Sequence, residues 1–179
     1  MSIKNNRQLE CKYCLMDNTD PYIIFFEDGT CNHCKTATKR FKILNNIEPI
    51  KKEHQLKEII EKIKYSGKNN KYDCLIGLSG GVDSSYLAWI TKELGLRPLA
   101  IHIDNGWNTE LAVKNIENIV NKLNIDLKTI VLDWEEFKSL QRAFLKASVV
   151  DLEMLSDNAI IVGIKRTIKK EKIKYFLSG

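Results

Sequence analysis

At 179 residues and 44% hydrophobic side chains, the chain has room for one domain with a sizeable core and a small appendage. Its 28 Lys and Arg stand against 23 Asp and Glu, a net charge of +5 that is spread along the chain, which argues for a solvated surface and against a dedicated nucleic-acid groove. No run is apolar for the roughly 20 residues a membrane span needs, and the opening MSIKNNRQLE lacks the apolar core of a secretion signal, so a cytoplasmic protein is expected.

Residues 1–45 carry four of the five cysteines and little periodicity. Cytosolic thiols stay reduced, so metal binding is favoured over disulfides. Cys11 and Cys14 form CKYC, Cys31 and Cys34 form CNHC, and 16 residues separate the pairs. This is the two-knuckle spacing of a structural zinc site, in which four thiolates close a tetrahedral shell and leave no open position for water. Four cysteines can also hold an iron–sulfur cluster, and that alternative stays open. His33, between two ligands, reads as a solvated knuckle residue. FEDGT between the pairs reads as a hairpin turn, so the module has the form of a small zinc ribbon.

Residues 46–71 read as a linking helix, with Leu56, Ile59, Ile60 and Ile63 at helical spacing and Gly67 as the stop. From residue 72 onward strands and helices alternate. YDCLIGL is a short buried strand in which Cys74 is an inert thiol. A helix over about residues 84–94 ends at Gly95. RPLAIHID is a second strand, and NTELAVKNIENIVNKLN a helix with Leu111, Ile116, Val120 and Leu123 inward. LKTIVL is a third strand. DWEEFKSLQRAFLKAS is a helix with Trp134 and Phe137 in the core. SDNAIIVGIKRTIKKE is a further helix, and IKYFL a fourth strand. The alternation predicts a Rossmann-like α/β fold, a parallel sheet with helices on both faces, over residues 72–179. Ligands of such sheets bind beyond the carboxyl ends of the strands. Three of those ends carry polar residues: SGGVDSS, DNGW and SG.

SGGVDSS spans residues 79–85 between a strand and a helix. Glycines there let backbone N–H groups approach an anion, the helix N-terminus adds partial positive charge, and Ser79, Ser84 and Ser85 add hydroxyls. The competing reading is a tight turn with serine as a helix cap. No lysine follows Gly81, so this is not a Walker A loop, and a G-x-G-x-x-G pattern is absent. Asp104, Asn105 and Gly106 after the second strand are either ligand contacts or an ordinary Asn-Gly turn, and Trp107 on that turn is hard to explain as core. Asp151, Glu153 and Asp157 form either a substrate-facing acidic loop or a helix entry capped by Ser156 or Asp157.

SGGVDSS resembles the PP-loop of the N-type ATP pyrophosphatases, a superfamily with an adenine nucleotide alpha hydrolase-like fold that includes the synthetase domain of GMP synthetase, asparagine synthetase and several tRNA-modifying enzymes. The resemblance implies cleavage of ATP between its α and β phosphates. A substrate oxygen is adenylated, and a nitrogen or sulfur nucleophile displaces AMP. It places Ser79, Gly80, Gly81, Val82, Asp83, Ser84 and Ser85 around the pyrophosphate, with Ser79, Asp83 and Ser84 in catalytic roles and magnesium bridging phosphate oxygens near Asp83. In such enzymes the second strand end meets the adenosine, which makes Asp104, Asn105, Gly106 and Trp107 candidate nucleotide or substrate contacts, and the convergence of strand ends adds Ser178 and Gly179.

The composite of CKYCLMDNTDP, DGTCNHC, GLSGGVDSSYLA and DNGWN is similar to the N-acetyl sugar amidotransferases. These convert a sugar's acetamido group into an acetamidino group for lipopolysaccharide and other surface glycans, with ammonia from a separate glutaminase and cyclase pair. The resemblance implies ATP, magnesium and a sugar-nucleotide substrate, beside the zinc expected from the cysteine spacing; composition argues for no membrane partner and against nucleic acid. The family is longer than this chain, so its pattern is expected to run beyond Gly179, and the 179 residues alone are expected to turn over ATP poorly. Two alternatives remain: a PP-loop tRNA thiolase, and a zinc-ribbon binding module with an inactive nucleotide domain.

Overall fold

The computed structural model describes residues 9–45 and 49–179; the first eight residues of the expected cysteine module and residues 46–48 of the expected linking helix lie outside the described residues. The chain divides into two compact units, Met1–Gln55 and Leu56–Gly179. No helix among the described residues is long and apolar enough to cross a membrane.

In the first unit, antiparallel bridges pair Glu10 with Asp17 and Phe25 with Cys31. FEDGT turns as its residue types require. Gly29 takes a positive φ of 82°, Phe26 N–H donates to Thr30 O at 2.9 Å, and Asp28 Oδ1 accepts from Thr30 N–H at 2.9 Å. The second cysteine pair then opens a helix, α1 (Asn32–Asn45), where sequence reasoning saw little periodicity. Its surface is exposed nearly all round, so no apolar stripe marks it.

The second unit takes up the end of α2 (Pro49–Gly67). Ile60 and Ile63 of that helix are buried, while Leu56 and Ile59 stay about half exposed. Four strands follow, β1 (Cys74–Gly77), β2 (Pro98–Asp104), β3 (Asp126–Val131) and β4 (Tyr175–Leu177), all parallel in the order β3-β2-β1-β4. Between them run α3 (Val82–Glu93), α4 (Glu110–Leu123), α5 (Trp134–Lys146) and α6 (Met154–Glu171). One face of the sheet packs Cys74, Ile76 and Ala100 against Ile60 and Ile63 of α2, Ala88 of α3 and Ile116 of α4. The other packs Leu75, Leu99 and Ile101 against Ile164 and Ile168 of α6. Alternation of strand side chains between two helical layers makes this the expected doubly covered parallel sheet. The strand order reverses at β1, which puts the topological switch point beside β1 and β4.

At the opposite edge, Asp73 is almost fully buried and meets Arg97. Nη2 of Arg97 lies 2.5 Å from Oδ1, and its Nε lies 3.1 Å from Oδ2. The same guanidinium donates to the carbonyls of Asn70 (3.0 Å) and Gly67 (2.9 Å). It thereby ties the end of α2 to the starts of β1 and β2.

Two expectations are corrected here. Leu111 is 69% exposed; the buried face of α4 runs through Ile116, Ile119, Val120 and Leu123, and a residue five positions before Ile116 is rotated well away from it. Neither Ser156 nor Asp157 caps α6, which already begins at Met154 after Glu153 with no side-chain cap. Asp151, Glu153 and Asp157 are all exposed.

Candidate nucleotide site and metal centre

β1 ends at Gly77, and its extension Leu78 still donates to Ile101 O at 2.9 Å. The chain then turns through Ser79–Gly80–Gly81 into α3. Gly80 has φ +80°, and a Cβ there would collide with the backbone carbonyl of Ala112 in α4. Both the conformation and the close approach therefore require glycine. Asn115 Nδ2 of the same helix donates to Gly80 O at 3.1 Å. Gly81 is different. Its φ is −79°, and a Cβ there would meet only Ser79 Oγ, at 3.4 Å, so open space lies over it.

Gly81 is the N-cap of α3 and supplies no side-chain cap. The first helical bond runs from Ser85 N–H to Gly81 O, 3.1 Å. The N–H groups of Val82, Asp83 and Ser84 precede it and have no intrahelical acceptor. The hydroxyls hold the loop's shape. Ser84 Oγ accepts from Ser79 N–H (3.2 Å), Ser79 Oγ accepts from Gly81 N–H (3.3 Å), the two hydroxyls lie 3.1 Å apart, and Ser85 Oγ donates to Gly81 O (2.6 Å). The result is an uncapped, positively polarised helix end over open space, which is a cradle for an anion. Asp83 is exposed on the first turn of α3. Gly179, beyond β4, lies against the same turn: a Cβ on it would sit 3.0 Å from Asp83 O. Ser178 and Gly179 thus share the cradle's end of the sheet.

The loop after β2 is organised by its own side chains. Asp104 Oδ1 accepts from Gly106 N–H (3.0 Å) and from Asn108 Nδ2 (2.8 Å). Asn105 Oδ1 accepts from Trp107 N–H (3.1 Å), and its Nδ2 donates to the buried Ser156 of α6 (3.2 Å). Asp104, Asn105 and Gly106 therefore shape the turn, and Trp107 projects from it. Trp134, expected in the core, is 39% exposed. It is the first residue of α5, and its ring meets Trp107 edge to face at 5.7 Å; Phe137 is buried as expected.

Sequence reasoning missed His102. It is buried on β2, with Nδ1 3.0 Å from Leu78 O and Nε2 3.2 Å from Asn108 Nδ2. A carbonyl can only accept, so Nδ1 carries the proton and Nε2 accepts from Asn108. The imidazole ties the residue before the glycine loop to the turn after β2. The HID triplet and the asparagine six residues on were the only local trace of it.

In the first unit the four cysteine Sγ atoms lie within 4.8 Å of one another. Cys11 and Cys34 are 3.7 Å apart and Cys14 and Cys31 3.6 Å, too long for disulfides at about 2.05 Å. They match the edge, about 3.8 Å, of a tetrahedron with zinc–sulfur bonds of about 2.3 Å. Hydrogen bonds from the backbone N–H groups of Cys14 and Tyr13 draw the Cys11 thiol down to about 6. The neighbouring Cys14 thiol, with burial, pushes Cys34 up to about 12. Zinc takes cysteine as thiolate, so a bound divalent cation would ionise all four. The donor set therefore fits zinc. His33 stands outside it, 2.7 Å from Asp20; the Tyr22 N–H, and secondly His33, lower the Asp20 carboxyl below its ordinary value. Burial pushes the Cys74 thiol up to about 12.

A parallel sheet with a glycine–serine anion cradle after its first strand defines a PP-loop domain of the ATP pyrophosphatase superfamily. A family model described as Queuosine biosynthesis protein QueC matches residues 73–168, more than half of the sequence. The chain belongs to that family. It is similar to a 7-cyano-7-deazaguanine synthase of Methanosphaerula palustris, 32% identical over 82 residues that make up 45% of this chain and 37% of that protein. It is also similar to a tRNA(Ile)-lysidine synthase of Chlamydia pneumoniae, 36% identical over 64 residues, 35% of this chain and 20% of that one. The chain therefore matches well under half the length of these relatives. Among solved structures, an NH3-dependent NAD synthetase of Campylobacter jejuni superposes with a TM-score of 0.48 at 19% identity, covering 68% of this chain and 54% of that one. An NMN synthetase of Francisella tularensis gives 0.48 at 18%, covering 66% and 50%.

Proposed function

We propose that this chain is the ATP-activating part of an amidotransferase that turns the acetamido group of an N-acetyl sugar nucleotide into an acetamidino group, for surface glycans. The observation that carries the reading is the uncapped N-terminus of α3 over open space at Gly81. The sugar acceptor is supported by the four-cysteine module together with the DNGWN turn, a composite that extends outside the matched residues 73–168.

In this reaction the acetamido oxygen attacks the α-phosphorus of ATP. The bond from that phosphorus to the bridging oxygen breaks, and pyrophosphate leaves with the electron pair. Ammonia then adds to the activated carbon, the carbon–oxygen bond breaks, AMP leaves with the former acetamido oxygen, and the surplus protons pass to solvent. The N–H groups of Val82, Asp83 and Ser84 face the charge that gathers on departing pyrophosphate, and the fixed donors stabilise it without reorganisation. Ser79 and Ser84 hold the loop and exchange their mutual bond for phosphate oxygens. Asp83 would hold a magnesium ion, which would supply charge neutralisation at the phosphates. No side-chain nucleophile is needed. Ammonia would come from glutaminase and cyclase-like partner subunits.

A second reading is the deazapurine chemistry named for the archaeal relative, which the family match favours. One experiment separates the two. The protein is incubated with ATP, ammonia and a sugar nucleotide whose acetamido oxygen is ¹⁸O. The sugar reading predicts AMP heavier by one ¹⁸O and an acetamidino product. Unlabelled AMP, or ADP, contradicts it, and formation of 7-cyano-7-deazaguanine in a parallel incubation that supplies a 7-carboxylated deazaguanine with ATP and ammonia would establish the second reading.

A further inference from the structure

The cradle accounts for the phosphates of ATP and leaves a second concavity at the same sheet edge unexplained. A cavity of about 450 Å³ opens where the turn after β2 meets α5 and the start of α6. Its walls include Trp107 and Trp134, with Lys138, Gln141 and Arg142 along α5 and Glu153 and Ser156 on the α6 side. We propose that this cavity seats the N-acetyl sugar end of the sugar-nucleotide acceptor, with the pyranose against the indoles and its anomeric phosphate on Arg142 beside Lys138. The inference rests on the sugar reading above and names where that substrate binds.

Three observations carry it. The aromatic walls are exposed yet fixed. Trp107 is 64% exposed, but its Nε1–H donates to Gln141 Oε1 at 2.7 Å, and its ring braces that of Trp134. Gly106, at φ +81°, leaves room for the Trp134 ring to lie directly on the turn, where any Cβ would collide with it. Preorganised indole faces with a few convergent polar groups suit a ring-shaped ligand. The second observation is charge. Arg142 makes no ion pair among the described residues, and Lys138 meets Glu135 at 2.9 Å while staying 5.8 Å from the Trp134 ring centroid. Glu135 already partners Lys138, so Arg142 is the cation left for an anionic ligand, with Glu153 the one carboxylate in the lining. Adenosine is uncharged and gives Arg142 nothing to do, whereas a sugar phosphate does. Third, the polar end is fixed from the loop that also shapes the nucleotide edge, because buried Ser156 accepts from Asn105 Nδ2.

The test uses the 179-residue chain with Trp89→Phe, so that of its three tryptophans only Trp107 and Trp134 report by indole emission. N-Acetylglucosamine 1-phosphate is titrated, with N-acetylglucosamine and adenosine as comparison ligands. Expected are a saturable emission change, at least tenfold weaker binding of the neutral sugar, at least tenfold weaker binding of the sugar phosphate by Arg142→Ala, and an unchanged dissociation constant of Arg142→Ala for magnesium-ATP. Thermal melting verifies that the variant is folded. An absent emission change, indifference to Arg142→Ala, or displacement of the sugar phosphate by adenosine overturns the assignment. If acetamido-sugar-dependent AMP release is undiminished in Arg142→Ala, this seat falls and the amidotransferase stands. If the sugar phosphate binds here with no sugar-dependent AMP release, the seat stands and the reaction falls.

Discussion

The cysteine cluster of the first unit and the glycine loop of the second are both built to hold charge, from opposite materials. The cluster uses side chains: four sulfurs from two distant stretches meet within 4.8 Å, and a shared cation would hold them as thiolates. The loop uses backbone: uncapped N–H groups at α3 converge over open space, and their positions come from the sheet and from α4. The first site should therefore be inseparable from the folding of its unit. The second should be separable from folding, except where the loop touches its support.

The largest effect expected is that of metal removal. A structural four-thiolate zinc contributes about 10 kcal/mol or more of apparent binding energy to folding. Chelation, or Cys31→Ala, should release one equivalent of zinc and unfold the first unit, as amide exchange of residues 9–45 would read. Less than half an equivalent of zinc in the purified protein, with iron in its place, would replace zinc by an iron–sulfur cluster. Arg97→Ala comes next. It leaves the buried Asp73 carboxylate unpaired and should cost the sheet unit about 3 kcal/mol in denaturant melts, with zinc content unchanged. Gly80→Ala should cost about 1–3 kcal/mol from the positive φ alone, and more if the Ala112 carbonyl cannot retreat. A milder loss of about 1 kcal/mol is expected for Thr109→Ala, because Thr109 Oγ1 caps α4 by accepting from Ala112 N–H at 3.2 Å. Smallest is a labelling result. In native protein at pH 8, Cys74 should resist alkylation, since its thiol is buried and stays protonated until about pH 12. Rapid labelling of Cys74 would mean that β1 opens far more readily than its packing implies.

The strands, the glycine loop and both cysteine pairs could be read locally because each is written in consecutive residues. Periodicity failed where the pattern was thin. α1 has no apolar stripe to betray it, and Leu111 is apolar without being on the buried face of α4. Trp134 was misplaced for a related reason. Hydrophobicity alone sends a tryptophan to the core, and only the glycine at position 106 permits the packing that keeps it at a cavity wall. The contacts among His102, Leu78 and Asn108, and the pairing of Asn105 with Ser156, join positions up to 51 residues apart and leave no local pattern beyond the HID triplet and Asn108. Such hydrogen bonds become visible only when the sheet sets its register.

The central claim is that backbone N–H groups at the start of α3 hold the phosphates of ATP. Calorimetric titration of magnesium-ATP into the parent and Gly81→Val tests it most directly. Valine is compatible with the φ of −79° at this position, so the variant should lose no more than about 1 kcal/mol of stability as a poorer N-cap. Its side chain would fill the open space above the helix end, and the affinity for ATP should fall at least tenfold while Gly81→Val melts close to the parent. An unchanged dissociation constant in a folded Gly81→Val protein would contradict the cradle.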